Sequence, residues 1–262
     1  MTTAVAPPPT TPVRSSVAAR ARNVLKVYGR GDTAVRALDG ANLDIGSGEF
    51  TAVMGPSGSG KSTLMHALAG LDTIDAGQVL LGTTDVTALS ERDRTLLRRR
   101  RIGFVFQSFN LGPSLTAAEN IVLPLTLAGD KPDPDWFNAL VATLGLGDRL
   151  GHRPSELSGG QQQRVAAARA LVARPEIVFA DEPTGNLDSR HGQALLEFLA
   201  HAAHSFGQTI VMVTHDPTAA ACTDRVVFLA DGRVVDEVKR PGVETILARM
   251  AHLDTTATKA GE

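Results

Sequence analysis

Residues 55–62 read Gly55, Pro56, Ser57, Gly58, Ser59, Gly60, Lys61 and Ser62. They fit the pattern G-x-x-x-x-G-K-[ST] between an apolar strand and a helix. Glycines let the chain curl until successive N–H groups converge on phosphate oxygens, and a helix opening at Lys61 adds its positive dipole end. Lys61 can reach the β- and γ-phosphates, and the Ser62 hydroxyl can ligate Mg²⁺. A purely structural glycine turn has no use for Lys61 and Ser62. A second constellation lies at residues 177–182, a buried apolar strand ending in Asp181 and Glu182. Ligands of open α/β sheets sit at such carboxyl ends. Asp181 is placed to hold Mg²⁺, and Glu182 can polarise an attacking water, which favours hydrolysis over transfer to a metabolite. A third is Leu157, Ser158, Gly159, Gly160 and Gln161, opening an alanine-rich helix. Bare glycine N–H groups at a helix start form another anion site, and the Ser158 hydroxyl adds to it. One chain with two half-sites suggests head-to-tail completion by a second copy.

Strand and helix alternate through much of the chain, as a parallel sheet with helices on both faces requires. Strands are expected at 23–28 and 41–45, around a loop at 29–32, and at 49–54, 78–81, 102–106, 177–180 and 209–214. A hairpin at 225–235 turns on Asp231 and Gly232. Helices are expected at 61–70 with Gly70 at the C-terminal end, at 90–101, at 161–173 and at 189–204. From 108 to about 172 the texture changes. Helical segments at 117–127, 136–144 and around Arg149, broken by Pro124, Pro132 and Pro134, read as an inserted helical subdomain. The first 21 residues, with Pro7, Pro8, Pro9 and Pro12, read as a disordered tail, and residues 239–262 as a tail carrying one amphipathic helix at 243–253. The phosphate-binding domain is then 22–238.

Bulk properties narrow the classes. A formal net charge of −2 argues against nucleic-acid binding through bulk charge. The single cysteine, Cys222, forms no disulfide within the chain. No apolar run approaches the roughly 20 residues of a transmembrane helix. The chain is expected on the cytoplasmic side of the cell membrane, with another protein supplying any membrane part.

In order, the motifs resemble those of the ATP-binding cassette family over residues 22–237. Residues 55–63, Thr63 included, match its Walker A loop, Gln107 its Q-loop and 157–161 its signature. Residues 177–182 match Walker B, Asn186, Leu187 and Asp188 the D-loop, and His215 the H-loop. The resemblance implies a P-loop NTPase fold: a mainly parallel sheet core, an N-terminal antiparallel β subdomain and an inserted α-helical subdomain. It implies ATP and Mg²⁺ as cofactors. Glu182, His215, Gln107 and Lys61 would be catalytic, and Ser62, Gln107 and Asp181 would hold the metal. Tyr28 would stack on adenine, or else pack in the core. Gln107 would touch Mg²⁺ or the water and report to the helical subdomain. Asp188 would contact a second copy, and His215 would bond the γ-phosphate. The remaining histidines and Cys222 carry no assigned role.

Residues 103–125 look like the MacB/LolD/FtsE branch, whose ATPases pair with FtsX-like permeases. That implies export, lipoprotein release or mechanotransmission. An FtsE-like regulatory module without a transported substrate is an alternative. So is a soluble cassette acting on ribosomes or DNA, although such relatives usually carry two cassettes or a long coiled-coil insertion. Phe109, Leu111 and Leu115 form either a docking groove for the permease or subdomain core. Arg98, Arg99, Arg100 and Arg101 form a solvated helix face or a contact to anionic lipid or the permease.

Overall fold

The computed structural model describes residues 16–259, with side chains to residue 253. In chain order the first elements are β1 (Val17–Tyr28), β2 (Val35–Gly46), β3 (Phe50–Met54), α1 (Lys61–Leu68), β4 (Ala76–Leu81), β5 (Thr84–Asp85), α2 (Glu91–Arg101) and β6 (Ile102–Phe106). Next come α3 (Ala117–Ala128), α4 (Pro134–Thr143), α5 (Gly159–Leu171), β7 (Ile177–Asp181) and α6 (Ser189–Phe206). The chain closes with β8 (Thr209–Val213), α7 (Pro217–Ala220), β9 (Arg225–Ala230), β10 (Arg233–Lys239) and α8 (Val243–Lys259).

Two sheets form. The smaller is antiparallel with order β2-β1-β4-β5; the larger has order β10-β9-β3-β8-β7-β6. In the larger sheet β9, β3, β8, β7 and β6 are parallel, and β10 returns antiparallel through a turn whose Asp231 and Gly232 both have positive φ. Both faces of the parallel part of this sheet are covered, so β3, β7, β8 and β9 read as largely apolar runs, whereas β10 at the edge carries charged residues and is exposed at alternate positions. Alternate residues go to opposite faces. Phe50, Ala52, Val178, Ala180, Ile210 and Met212 face a core shared with α3, α4, α5 and α6. Val53, Ile177, Phe179, Val211, Val213 and Leu229 face α1, α2 and the antiparallel sheet. The helical subdomain therefore shares its core with one face of the sheet.

Local signals explain the helix ends. Thr116 and Glu119 form a capping box on α3, Asp133 caps α4 with Pro134 in its first turn, and Asp188 caps α6. Gly70, at φ 61, ends α1 in the left-handed region.

Several expectations are corrected. Residues 17–21 are not tail but the first part of β1, where Ala18, Ala19 and Ala21 are buried. β1 is flanked by β2 on one side and β4 on the other, and small side chains fit that crowded position. Residues 1–15 and 260–262 lie outside the described residues. β2 begins at Val35 and β10 runs to Lys239, both beyond the expected ends, because pairing with a neighbouring strand carries polar residues along. Pro124 lies inside α3 rather than breaking it. The segment at Arg149 is a 3₁₀ turn, Gly147–Arg149, and α8 continues to Lys259.

Phe179, in β7 beside the edge strand β6, is fully buried and stacks on Phe104 at 6.1 Å. Phe179→Ala should cost about 3–5 kcal/mol, read as a lower urea midpoint at unchanged slope. A loss under about 1 kcal/mol would contradict this packing.

Candidate functional site

β3, β8, β7 and β6 are neighbours in the sheet, and the residues after their carboxyl ends come together along one edge. They are the glycine-rich loop after β3, Thr214 and His215 after β8, Glu182 after β7 and Gln107 after β6. This is the crevice where open α/β sheets bind ligands.

The loop is held from below by backbone. Gly232 N–H donates to Ser59 O at 3.0 Å and Ser59 N–H to Pro56 O at 3.2 Å. Gly55 and Gly60 have φ of 155° and 99°. A Cβ on Gly55 would strike Leu229 O, and one on Gly60 would strike Ala37 O, so only glycine fits either position. Gly58 instead faces open space. The first helical bond of α1 is Leu64 N–H to Gly60 O, so the amides of Lys61, Ser62 and Thr63 are the donors that open the helix. Ser59 Oγ is buried with no hydrogen-bond partner among the described residues. Lys61 Nζ sits over the loop, donating to Gly55 O at 2.9 Å and Pro56 O at 2.7 Å. Burial pushes the Lys61 ammonium below the usual lysine range, against the pull of Glu182 and Asp181.

Asp181 is the last residue of β7 and half-buried. Burial raises its carboxyl above the ordinary range; His66 and Lys61 oppose this, and Glu182 adds to it. Glu182 takes a left-handed backbone, φ 43, that residues other than glycine adopt infrequently. Its N–H bonds Val213 O at 3.0 Å, extending the β7–β8 ladder by one residue. Its carboxylate lies 2.8 Å from His215 Nδ1 and 3.4 Å from Thr214 Oγ1. Nδ1 therefore carries the hydrogen toward the carboxylate, leaving Nε2 on a ring whose side chain is 77% exposed.

Gln107 is tied to the segment after β7. Asn186 Nδ2 donates to Gln107 O at 3.0 Å, and Gln107 Nε2 faces Asn186 Oδ1 at 3.5 Å. Tyr28, at the end of β1, is 42% exposed. Its hydroxyl donates to Asp72 Oδ2 at 2.6 Å, and the Lys26 ammonium lies 4.9 Å from the ring centroid. Burial is the largest cause raising the phenol's pKa, followed by Asp72.

The signature residues form a separate group. Ser158 Oγ accepts from Gln161 N–H at 3.3 Å, and Gln161 Oε1 accepts from Ser158 N–H at 2.9 Å. The hydroxyl and the Gln161 amide thus cap their own helix in this structure, as an ordinary serine-capped helix start would. No hydrogen bond or ion pair among the described residues joins Ser158, Gly159 or Gly160 to Lys61, Ser62, Asp181 or Glu182. Asp188 caps α6 and bonds His191 Nδ1 at 2.5 Å. The His191 ring lies so close to Gly160 that a Cβ there would come within 2.5 Å of it. The backbone N–H of His191, first, and then its ring hold the Asp188 carboxyl below the usual range. His191, given no role from sequence, lies against Gly160 and Asp188, and His66 acts on the Asp181 charge; an isolated histidine carries no motif to reveal either.

The residues fit a nucleoside triphosphate with a hard cation. Gly58 faces open space, three helix-start amides and an ammonium converge, and Ser59 Oγ is unpaired. Among the described residues no group of three or more His, Cys, Asp or Glu could enclose a metal. Mg²⁺ needs none, since it is commonly held by one or two carboxylates with phosphate oxygens. Asp181 and the Ser62 hydroxyl suit that role.

Known proteins resemble this chain along most of its length. A family model described as ABC transporter matches residues 38–185. The chain is 46% identical over 235 residues to the macrolide export ATP-binding/permease protein MacB of Marinobacter nauticus, covering 89% of this chain and 36% of that protein. It thus spans about a third of the MacB relatives it matches. It is also 46% identical over 224 residues to an ABC transporter ATP-binding protein of Methanocaldococcus jannaschii, covering 84% of this chain and 99% of the other. A dimeric, post-hydrolysis structure of the ATP-binding cassette MJ0796 bound to ADP and Pi superposes with a TM-score of 0.76. It has 41% identity and covers 86% of this chain and 99% of that one. No helix among the described residues is long and apolar enough to cross a membrane.

The raised Asp181 carboxyl has a sign. A folded-state pKa above the unfolded one makes the ionised form a cost, fully present above the folded pKa and absent below the unfolded one. Asp181→Asn should therefore melt at a higher temperature than the parent near neutral pH without nucleotide. The gain should vanish as pH falls through the carboxylate range. A lower melting temperature at neutral pH would contradict this.

Proposed function

Because the chain belongs to the ABC transporter family of ATP-hydrolysing cassettes, we propose that it is the nucleotide-binding subunit of a membrane transporter. Two copies close head-to-tail over ATP and power an FtsX/MacB-like permease. The observation that carries the catalytic part is Glu182. A strained residue persists where the surrounding structure over-determines it, commonly at an active site, and this one ends a buried strand with its carboxylate aimed at His215.

In this reading Lys61 exchanges two neutral carbonyl acceptors for phosphate oxygens, which strengthens its hydrogen bonds. The amides of Lys61, Ser62 and Thr63 complete the phosphate cradle. Asp181, Ser62 and Gln107 are the groups that would hold Mg²⁺, which supplies Lewis-acid charge at the phosphates when bound. Glu182 accepts a proton from the attacking water, while His215 holds its carboxylate through Nδ1; Nε2 would donate to the γ-phosphate when both ring nitrogens carry hydrogen. Tyr28 offers a ring to adenine. Its hydroxyl is anchored by Asp72, which holds the ring in place.

The separate disposition of Ser158, Gly159 and Gly160 supports completion of each site by a second copy, with Asp188 at that contact. The dimeric MJ0796 cassette supports the same arrangement. For the permease, support comes from the MacB relatives, named as ATP-binding and permease protein in one, and from the loop after Gln107. Phe109 and Asn110 both have positive φ, and Arg169 donates to both of their carbonyls. Phe109, Leu111 and Leu115 are half-buried on this pinned loop, suited to a helix from the permease. The chain would then work at the cytoplasmic side of the membrane, without nucleic acid.

Glu182→Gln should keep ATP binding, lower turnover by about 10²–10⁴-fold or more and accumulate an ATP-bound dimer in light scattering. Parental turnover would remove Glu182 as the base. Lys61→Ala should lose nucleotide binding, measured with a fluorescent ATP analogue. Glutamate at Phe109 or Leu115 should abolish co-purification of the permease while ATP binding persists; an intact complex would sink the docking assignment.

A further inference from the structure

The first turns of α5 carry a polar side chain that neither the phosphate cradle nor the helix requires. Gln163 is fully buried, on a helix that goes on to bury Val165, Ala166, Ala167 and Ala168. Its Nε2 donates to Pro183 O at 2.6 Å and to Phe106 O at 3.3 Å. Its Oε1 is buried with no partner among the described residues. Two carbonyl acceptors fix the direction of the amide, because only the NH₂ group can face them. A buried acceptor without a partner is costly; an apolar side chain of similar volume would remove that cost but take the donor from Pro183 O and Phe106 O, so the two effects offset.

The two carbonyls explain why an amide is useful here. Pro183 directly follows Glu182, whose backbone is strained at φ 43, and Phe106 directly precedes Gln107. The helix bearing Gln163 starts at Gly159, one residue after Ser158. One side chain thus ties the signature helix to the backbone beside both residues that would meet the attacking water.

Resting on the catalytic reading above, we propose that Gln163 is a positioning residue. It sets Glu182 and Gln107 relative to the signature helix, so that engagement of that helix start by the partner copy's nucleotide reaches the hydrolytic groups. It makes no contact with ATP itself.

The test uses the full chain with Gln163→Met, Gln163→Glu and, alongside them, Glu182→Gln. Gln163→Met should fold, melt near the parent, bind ATP with KM within about twofold, and lose about tenfold or more in kcat. In Gln163→Glu the protonated carboxyl can donate to Pro183 O, whereas the carboxylate can only repel both carbonyls. Its kcat relative to the parent should therefore rise as pH falls. Parental kcat in Gln163→Met would overturn the proposal, as would a proportionate loss of stability, binding and turnover, which marks a merely structural role. Should the Met variant fail to fold, the Glu variant decides: a pH profile parallel to the parent's overturns the proposal. A silent Glu182→Gln beside a parent-like Gln163→Met removes this inference alone. Parental hydrolysis by Glu182→Gln removes the catalytic reading and this inference with it.

Discussion

A parallel strand covered on both faces has no room for polar chemistry along its length. In β3 and β8 every residue is buried, and in β7 every residue but Asp181. Charged side chains can then enter only where the strands stop; the buried Thr51 hydroxyl in β3 is small enough to be tolerated inside. Because the strands are parallel, they all stop at the same edge. Lys61, Asp181, Glu182, His215 and Gln107 come from four separate stretches of chain, yet they converge because β3, β8, β7 and β6 lie side by side. The hydrophobic sheet is thus what assembles the polar site, and the loops only finish it.

That edge is kept in tension. Burial works against both charges that a nucleotide would need, pushing the Lys61 ammonium down and the Asp181 carboxyl up. Each is partly offset by opposite charge nearby: Asp181 and Glu182 for Lys61, and His66 then Lys61 for Asp181. Phosphate and a divalent cation would relieve both costs together, so the site trades stability of the free protein for affinity. The left-handed backbone of Glu182 belongs to the same trade. It is held by the Val213 carbonyl, by His215 and Thr214, and through Pro183 by Gln163.

The sequence made the strand-end residues legible because each chemistry demands particular types at fixed spacing. Lys61 after Gly60 and Glu182 after Asp181 have no bland equivalent in that context. The alternation of apolar strands and amphipathic helices likewise announced the parallel core. What escaped depended on distant neighbours. Ala18, Ala19 and Ala21 look like tail composition, and only β2 and β4 on either side make them strand. Pro124 reads as a breaker, yet α3 continues through it. Ser158 and Gln161 fit an anion site and a capping box equally well by type, and the folded helix start forms the box. His191 and Gln163 carry no local signature, because their partners, Gly160 in one case and Pro183 and Phe106 in the other, lie on other elements.

The arrangement leaves the phosphate cradle and the signature helix start as two groups with no hydrogen bond between them among the described residues. The central claim is that a second copy joins them. Mixing two disabled variants tests it directly. Lys61→Ala removes the cradle's ammonium, and Gly159→Glu places a negative charge at the exposed start of α5, where it suits the helix dipole but repels phosphate. Each variant alone should be inactive. Mixed dimers should regain ATP hydrolysis, because one of their sites pairs an intact cradle with an intact signature. A mixture as inactive as its components, with mixed dimers present, would contradict the shared site.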